Sequence, residues 1–253
     1  MGKNKLKKFR DMETFGCVFQ YPFAVLQSGG GFPLRGHWHD EYFHNPNPIV
    51  LELGCGKGEY TVGLARRFHD KNFIGIDIKG ARMWTGARQA EAEGMKNVAF
   101  VRTSIELLEH FFAPGEVSEI WITFPDPQMR KVNKRLTSAR FLETYRRVAV
   151  ESPTVHLKTD SPFLYTFTDA LVKENALPVE VNTPDLYAAL PDECGDILSI
   201  RTFYEQQWLA RGLTIKYLRF RLPPDVEIVN PDIDIAPDTY RSFSRGTLEA
   251  MSC

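Results

Sequence analysis

The stretch Ile49–Gly58, IVLELGCGKG, is the strongest constraint on how this 253-residue chain can fold. An unbroken apolar run stops in three alternate glycines, Gly54, Gly56 and Gly58, and is followed by the segment YTVGLARRF. That pattern predicts a buried strand, a tight turn and a helix. Glycines allow such a turn positive φ and let a ligand approach the backbone closely. In the dinucleotide fingerprint the third glycine follows the second by three positions; here Glu59 stands there, so the pattern is G-x-G-x-G. Glu52, two residues before the first glycine, puts a carboxylate at the carboxyl end of the strand, where a phosphate is repelled and a cation attracted. The stretch therefore favours S-adenosylmethionine, a sulfonium, over a pyrophosphate, with Glu52, Gly54 and Gly56 as expected cofactor-binding residues. A glycine-rich turn that holds no ligand is the alternative on this stretch alone.

From Ile49 onward, apolar strands and helical segments alternate at βαβ spacing. The strands are IVLEL, NFIGID, NVAFV, EIWITF and TVHLKT, with a last one in LTIKYLRFRL. Helices are expected over about 60–68, 81–93, 138–148 and 163–173, over IELLEHFF, and from a turn at RTFYEQQWLARG; PDLYAAL is a candidate short helix. Such alternation predicts an α/β fold with a mostly parallel sheet and helices on both faces. Ligands in these sheets sit at the carboxyl ends of strands. The residues there are Glu52, Asp77, Ser104, Asp126 and Asp160, four of them carboxylates. Asp77 ends the second strand, where an acid grips the ribose hydroxyls of an adenosine nucleotide or nucleoside.

The second informative stretch is FPDPQMRKVNKR, from Phe124 to Arg135. Pro125 and Pro127 fix the backbone on both sides of Asp126 and so present its carboxylate in one orientation. Arg130, Lys131, Lys134 and Arg135 follow at once, a cation density suited to phosphate contacts. The net charge of −1 conceals this block and another in MGKNKLKKFR, a distribution compatible with a polyanionic partner. Solvated charge with no partner is the alternative, chiefly for the N-terminal block.

Hydrophobic residues make up 43% and charged residues 25%, the balance of a soluble globular protein with a full core. There is no apolar run of the roughly 20 residues that a membrane span needs. The basic N-terminus continues into DMETFG and not into an apolar segment, so it does not read as a secretory signal, and a cytoplasmic location is expected. Cys17, Cys55, Cys194 and Cys253 form no C-x-x-C pair, and the histidines in HWHDEYFH lack the spacing of a metal site, so no metal is expected. Residues 1–45 are read as a basic, partly ordered arm, 46–222 as the main domain and 223–253 as a solvent-facing tail. Monomer and homodimer are both left open.

LELGCGKG, IGIDI, FPDP with its basic run, HLKTD and TFYE, in this order and spacing, resemble the tRNA (guanine-N7)-methyltransferase family over about residues 48–222. The resemblance implies a seven-stranded class I (Rossmann-like) methyltransferase fold, S-adenosylmethionine as cofactor, and methylation of a variable-loop guanosine in tRNA. It makes Glu52 and Asp77 cofactor-binding acids and gives Asp126 a part in both cofactor placement and catalysis. Ser104 stands where the family usually has an aspartate or asparagine that reaches the adenine, and Arg130 where a substrate-contacting lysine is common. Asp160, Thr202 and Glu205 match the family's substrate-side residues. Gln128 replaces the usual tryptophan after FPDP. Because of Ser104 and Gln128, two other readings stay open: a tRNA-binding partner subunit or inactive protein of this fold, and a methyltransferase acting on another substrate.

Overall fold

A computed structural model of the protein describes residues 2–21, 23–26, 31–189 and 200–240. Its strands in chain order are β1 (Val18–Phe19), β2 (Ile49–Leu53), β3 (Asn72–Ile76), β4 (Val98–Val101), β5 (Val117–Thr123), β6 (Ala149–Thr159), β7 (Val179–Thr183) and β8 (Lys216–Arg221). They form one sheet of order β1-β4-β3-β2-β5-β6-β8-β7. Pairing is parallel from β1 through β6, and β8 runs antiparallel between β6 and β7. From β2 the chain builds outward to β3 and β4, then returns to lay β5 on the other side of β2. The strand order reverses there, and a crevice opens beyond the carboxyl ends of β2 and β5.

Alternate residues of each strand feed two cores, as the period of two requires. Leu51, Leu53, Ile74, Ile120, Leu157 and Leu218 pack with Phe141, Leu142, Leu164 and Phe167 of the helices Ala139–Arg146 and Pro162–Glu174. On the other face Val50, Phe73, Phe100, Trp121 and Tyr217 meet Tyr60, Leu64, Met83 and Ala87 of the helices Glu59–Arg67 and Gly80–Ala92. The central strands β2, β3 and β4 are buried at every position, which is why they read as unbroken apolar runs.

The segment read as a partly ordered arm is built into the fold. Residues Gly2–Thr14 form a helix against Gly80–Ala92; Met12 is buried, and the Trp84 indole donates to Asp11 Oδ2 at 2.9 Å. Strand β1 adds an eighth strand to the seven expected, through Phe100 N to Cys17 O (2.7 Å) and Arg102 N to Phe19 O (2.9 Å). Trp38 is fully buried, stacks on Phe112 at 5.7 Å and donates to Phe111 O at 3.0 Å. His39 and His44 bond backbone oxygens of Asn47 and Asp40.

Of the tail, residues 223–240 are described; most of them are exposed, with Ile228 and Asp238 buried among them. Strand β7 forms where no strand was expected, while Leu186–Ala189 forms the short helix expected in PDLYAAL. Residues 190–199, Cys194 among them, and Cys253 lie outside the described residues. Among the described residues no helix is long and apolar enough to cross a membrane.

Candidate active site at the strand carboxyl ends

The glycine turn leaves β2 with Gly54, Gly56 and Gly58 at φ of 78°, 55° and 70°. It is tied to β3 by Gly54 N and Cys55 N, which both donate to Ile76 O, at 2.8 and 3.0 Å. Two of the glycines serve different ends. A Cβ on Gly54 would meet nothing within 4 Å, because the residue borders open cleft. A Cβ on Gly58 would lie 2.7 Å from the Phe100 ring and 3.2 Å from Gly86 Cα, so this glycine lets the turn nest against sheet and helix.

Glu52 lies beneath the turn, 4% exposed. Its Oε2 accepts from Thr61 N at 2.8 Å and from Thr61 Oγ1, and its Oε1 accepts from Thr123 Oγ1 at 2.7 Å. Burial pushes its carboxyl up to about 7, against the opposing effect of these hydrogen bonds. Glu52 thus joins β2, β5 and the first turn of Glu59–Arg67. Asp77, at the end of β3, accepts from Gly56 N (2.9 Å) and Lys79 N (2.7 Å) and so fixes the turn from the side.

Gly54 and Asp77 line two adjoining cavities that also share Ile78, Ile105, Lys134 and Leu136. The smaller, about 220 Å³, is bounded by Thr103, Ser104 and Phe141; the larger, about 580 Å³, by Phe124, Pro125, Asp126, Gln128 and Asp160. The structure therefore brings Gly54, Asp77, Ser104, Asp126 and Asp160 to one cleft. An open backbone at Gly54, the acid Asp77 and an apolar side chamber suit a cationic nucleoside.

Asp126 is exposed on a corner held in an uncommon backbone. Phe124 and Gln128, on either side of the two prolines, have φ of 47° and 48°. Such left-handed non-glycine residues cost about 1–3 kcal/mol each and persist only where the surroundings impose them. Here Phe124 N donates to Lys158 O at 2.8 Å, and Gln128 N donates to Asp126 Oδ1 at 3.0 Å. Arg135, expected among the phosphate contacts, is 6% exposed. It donates to the carbonyls of Gln128 and Met129 and stacks over Phe163 and Phe167, at 4.7 and 4.3 Å. It braces the corner from within. Arg130 and Lys131 are exposed, while Lys134 and Arg140 share Glu106 Oε1 at 2.7 and 3.3 Å.

Thr202 and Glu205, expected to face substrate, are turned inward. They form a capping box on Phe203–Ala210: Thr202 Oγ1 accepts from Glu205 N and Glu205 Oε2 accepts from Thr202 N. Glu205 Oε1 lies 2.7 Å from Lys158 Nζ, with both side chains fully buried, and also accepts from the Tyr187 hydroxyl at 2.5 Å. The Lys158 ammonium lies 5.1 Å from the Tyr60 ring. Burial pushes Lys158 down, opposed by Glu205. Both Glu205 oxygens are engaged by described groups of the fold, and Lys158 is its counter-ion.

Among the cleft residues that the sequence reading did not single out are Tyr204 and Trp208. Their spacing of four places them on one helix face, and that signal was available.

Fold and cleft together put the protein among the class I methyltransferases. A family model described as "Putative methyltransferase" matches residues 46–218. Solved structures with the same fold include the 16S rRNA methyltransferase KamB (TM-score 0.56, 14% identity, covering 73% of this chain and 92% of that one) and an antibiotic-related methyltransferase (TM-score 0.53, 15% identity, 72% and 90%). Sequence relatives are much nearer. The tRNA (guanine-N(7)-)-methyltransferase of Porphyromonas gingivalis is 66% identical over 236 residues, 92% of this chain and 96% of that one. The protein of the same name from Bacteroides fragilis is 59% identical over 245 residues, 97% and 96%. The chain belongs to the tRNA (guanine-N7)-methyltransferase family.

Proposed function

We infer that the protein methylates N7 of a guanosine in the variable loop of tRNA, with S-adenosylmethionine as donor. The observation that carries this reading is the single cleft shared by the Gly54–Asp77 turn and the two acids Asp126 and Asp160. The names of the near relatives support the acceptor.

S-adenosylmethionine, when bound, supplies an electrophilic methyl group on a sulfonium. Gly54, Asp77 and Ser104 are the residues that would hold it, with Glu52 keeping the turn in shape from below. Guanine N7 already carries a lone pair, so no proton has to leave before attack. The work of the chain is alignment, which can account for most of the acceleration in such a displacement. Asp126 is therefore not an obligatory base. Facing N7 or O6 it would repel an acceptor; we assign it and Asp160 to the donor edge of the base, N1–H and the exocyclic amine, where negative charge also offsets the cation that forms. We assign Glu205 instead to holding Lys158 inside the fold. Tyr204 and Trp208 offer rings for the base to stack on, and Arg130 and Lys131 offer cations to the phosphates. A base held in folded tRNA has to be exposed by local opening before it can enter. A cytoplasmic site of action fits a tRNA substrate.

Replacing Asp126 by Asn tests the assignment. Single-turnover methyl transfer should fall by about 100-fold, with S-adenosylmethionine affinity by calorimetry little changed. Full turnover in that variant would remove Asp126 from the chemistry.

A further inference from the structure

The N-terminal helix Gly2–Thr14 lies outside the stretch matched by the family model, and it brings a concentration of cations to one side of the cleft. It packs on Gly80–Ala92, a helix whose N-terminal end borders the cleft through Lys79 and Arg82. Ring contacts seat it there. Lys8 Nζ and the Arg88 guanidinium both lie over the Trp84 ring, at 4.5 and 4.9 Å. Arg102, which donates to Ile78 O at 3.4 Å, lies over Phe9 at 4.6 Å. Lys5, Lys7 and Arg10 are exposed beside them. None of Lys5, Lys7, Lys8, Arg10, Arg82 and Arg88 forms an ion pair with a described residue, whereas the exposed Arg66, Arg147 and Lys173 each hold a carboxylate. Of the acids on the two helices, Asp11 bonds Trp84 Nε1 and Glu91 bonds Cys17 N, which leaves Glu13.

We propose that this face, from Lys79 and Arg82 along the N-terminal helix, is a second contact surface for tRNA phosphates and holds the body of the tRNA outside its variable loop. This rests on the reading of the protein as a tRNA methyltransferase. Cations that share one ring repel each other, and a phosphate between them relieves the repulsion. In the sheet order the helix stands on the side of β3 and β4, whereas Arg130 and Lys131 follow β5. The cleft is thus flanked by cations on both sides. A substrate gripped on both sides of the reacting atom is held in one orientation. An anionic membrane fits this face less well. A helix that enters lipid turns its apolar residues outward. Here Met12 is buried and Phe9 packs against Gly80, which leaves Leu6 as the exposed large apolar side chain of the helix.

The test measures binding of tRNA transcripts across a range of salt concentrations, together with steady-state methyl transfer. It compares the full-length protein with a neutral variant, Lys5→Gln/Lys7→Gln/Arg10→Gln, and a charge-keeping one, Lys5→Arg/Lys7→Arg/Arg10→Lys. The neutral variant should bind tRNA about 10-fold more weakly at physiological salt and lower the slope of log Kd against log salt by about 2–3, as the loss of three phosphate contacts requires. KM for tRNA should rise in step, with kcat and S-adenosylmethionine affinity within about twofold of the wild type. The charge-keeping variant should behave as the wild type does. An unchanged slope in the neutral variant would overturn the proposal. So would an equal loss in the charge-keeping variant, which would make the helix a matter of packing. Binding to phosphatidylserine vesicles that the neutral variant loses, with tRNA affinity unchanged, would overturn it in favour of a membrane. A wild-type protein that methylates no tRNA transcript would instead bring down the underlying reading, and needs no variant to detect.

Discussion

Glu52 has a carboxyl in a dry place, bonded by three hydroxyl or amide donors of Thr61 and Thr123. Its folded pKa, about 7, stands above the ordinary value of 4.5, so the folded state binds this proton more tightly than the unfolded chain. The stabilisation linked to it is full below pH 4.5 and is lost as pH rises toward 7. Between pH 5 and 8 the unfolding free energy of the wild type should therefore fall by about 2–3 kcal/mol more than that of Glu52→Gln. Urea melts across that range measure the difference, and parallel curves for the two proteins would contradict it. Lys158 and Glu205 present the opposite case, two charges buried as a pair. Removing one partner strands the other, so Glu205→Ala should cost about 3–5 kcal/mol of stability. The folded fraction should bind tRNA with unchanged affinity. Full stability with lost tRNA affinity would return Glu205 to the substrate.

At the scale of elements, the Phe-Pro-Asp-Pro corner divides its basic residues between two tasks. Arg130 and Lys131 are exposed, whereas Arg135 is spent on the corner's own carbonyls. An Arg130→Ala/Lys131→Ala variant should flatten the dependence of log Kd on log salt by about two phosphate contacts. Arg135→Ala should keep that slope and lose turnover. A double variant with the wild-type slope would show that this loop does not meet phosphates. Sequence alone could not divide the run, since the four cations look alike until the fold turns one of them onto Phe163 and Phe167. The same holds for Thr202 and Glu205. Their spacing is that of a capping box as much as of a binding motif. The cleft acids were legible for a definite reason: a buried parallel strand is an apolar run, its end is abrupt, and the residue at that end faces the crevice. Edge strand β7 was not, because its outer residues, Val179 and Glu180, are exposed and break the pattern.

For the molecule as a whole, the central sheet could be read from the chain and its two wrappings could not. The N-terminal segment has no helical or strand period, but it carries Phe19, Phe32, Trp38, Tyr42 and Phe43, which meet ring to ring. Such aromatic density argues against a solvated arm, and it outweighs missing periodicity. The C-terminal strap is acidic and proline-rich, and its order comes from side chains elsewhere, Asn175, Ser161 and Met129, that no local pattern reveals. The two wrappings dock at different places, one through β1 on β4 and the other at Asp160, which lines the cleft. The central claim is that this cleft joins S-adenosylmethionine to one guanosine of tRNA. It is tested most directly by supplying labelled S-adenosylmethionine and unmodified tRNA transcripts, then cleaving the product at 7-methylguanosine. The account predicts a single labelled cleavage at a variable-loop guanosine; label at another position, or none, would contradict it.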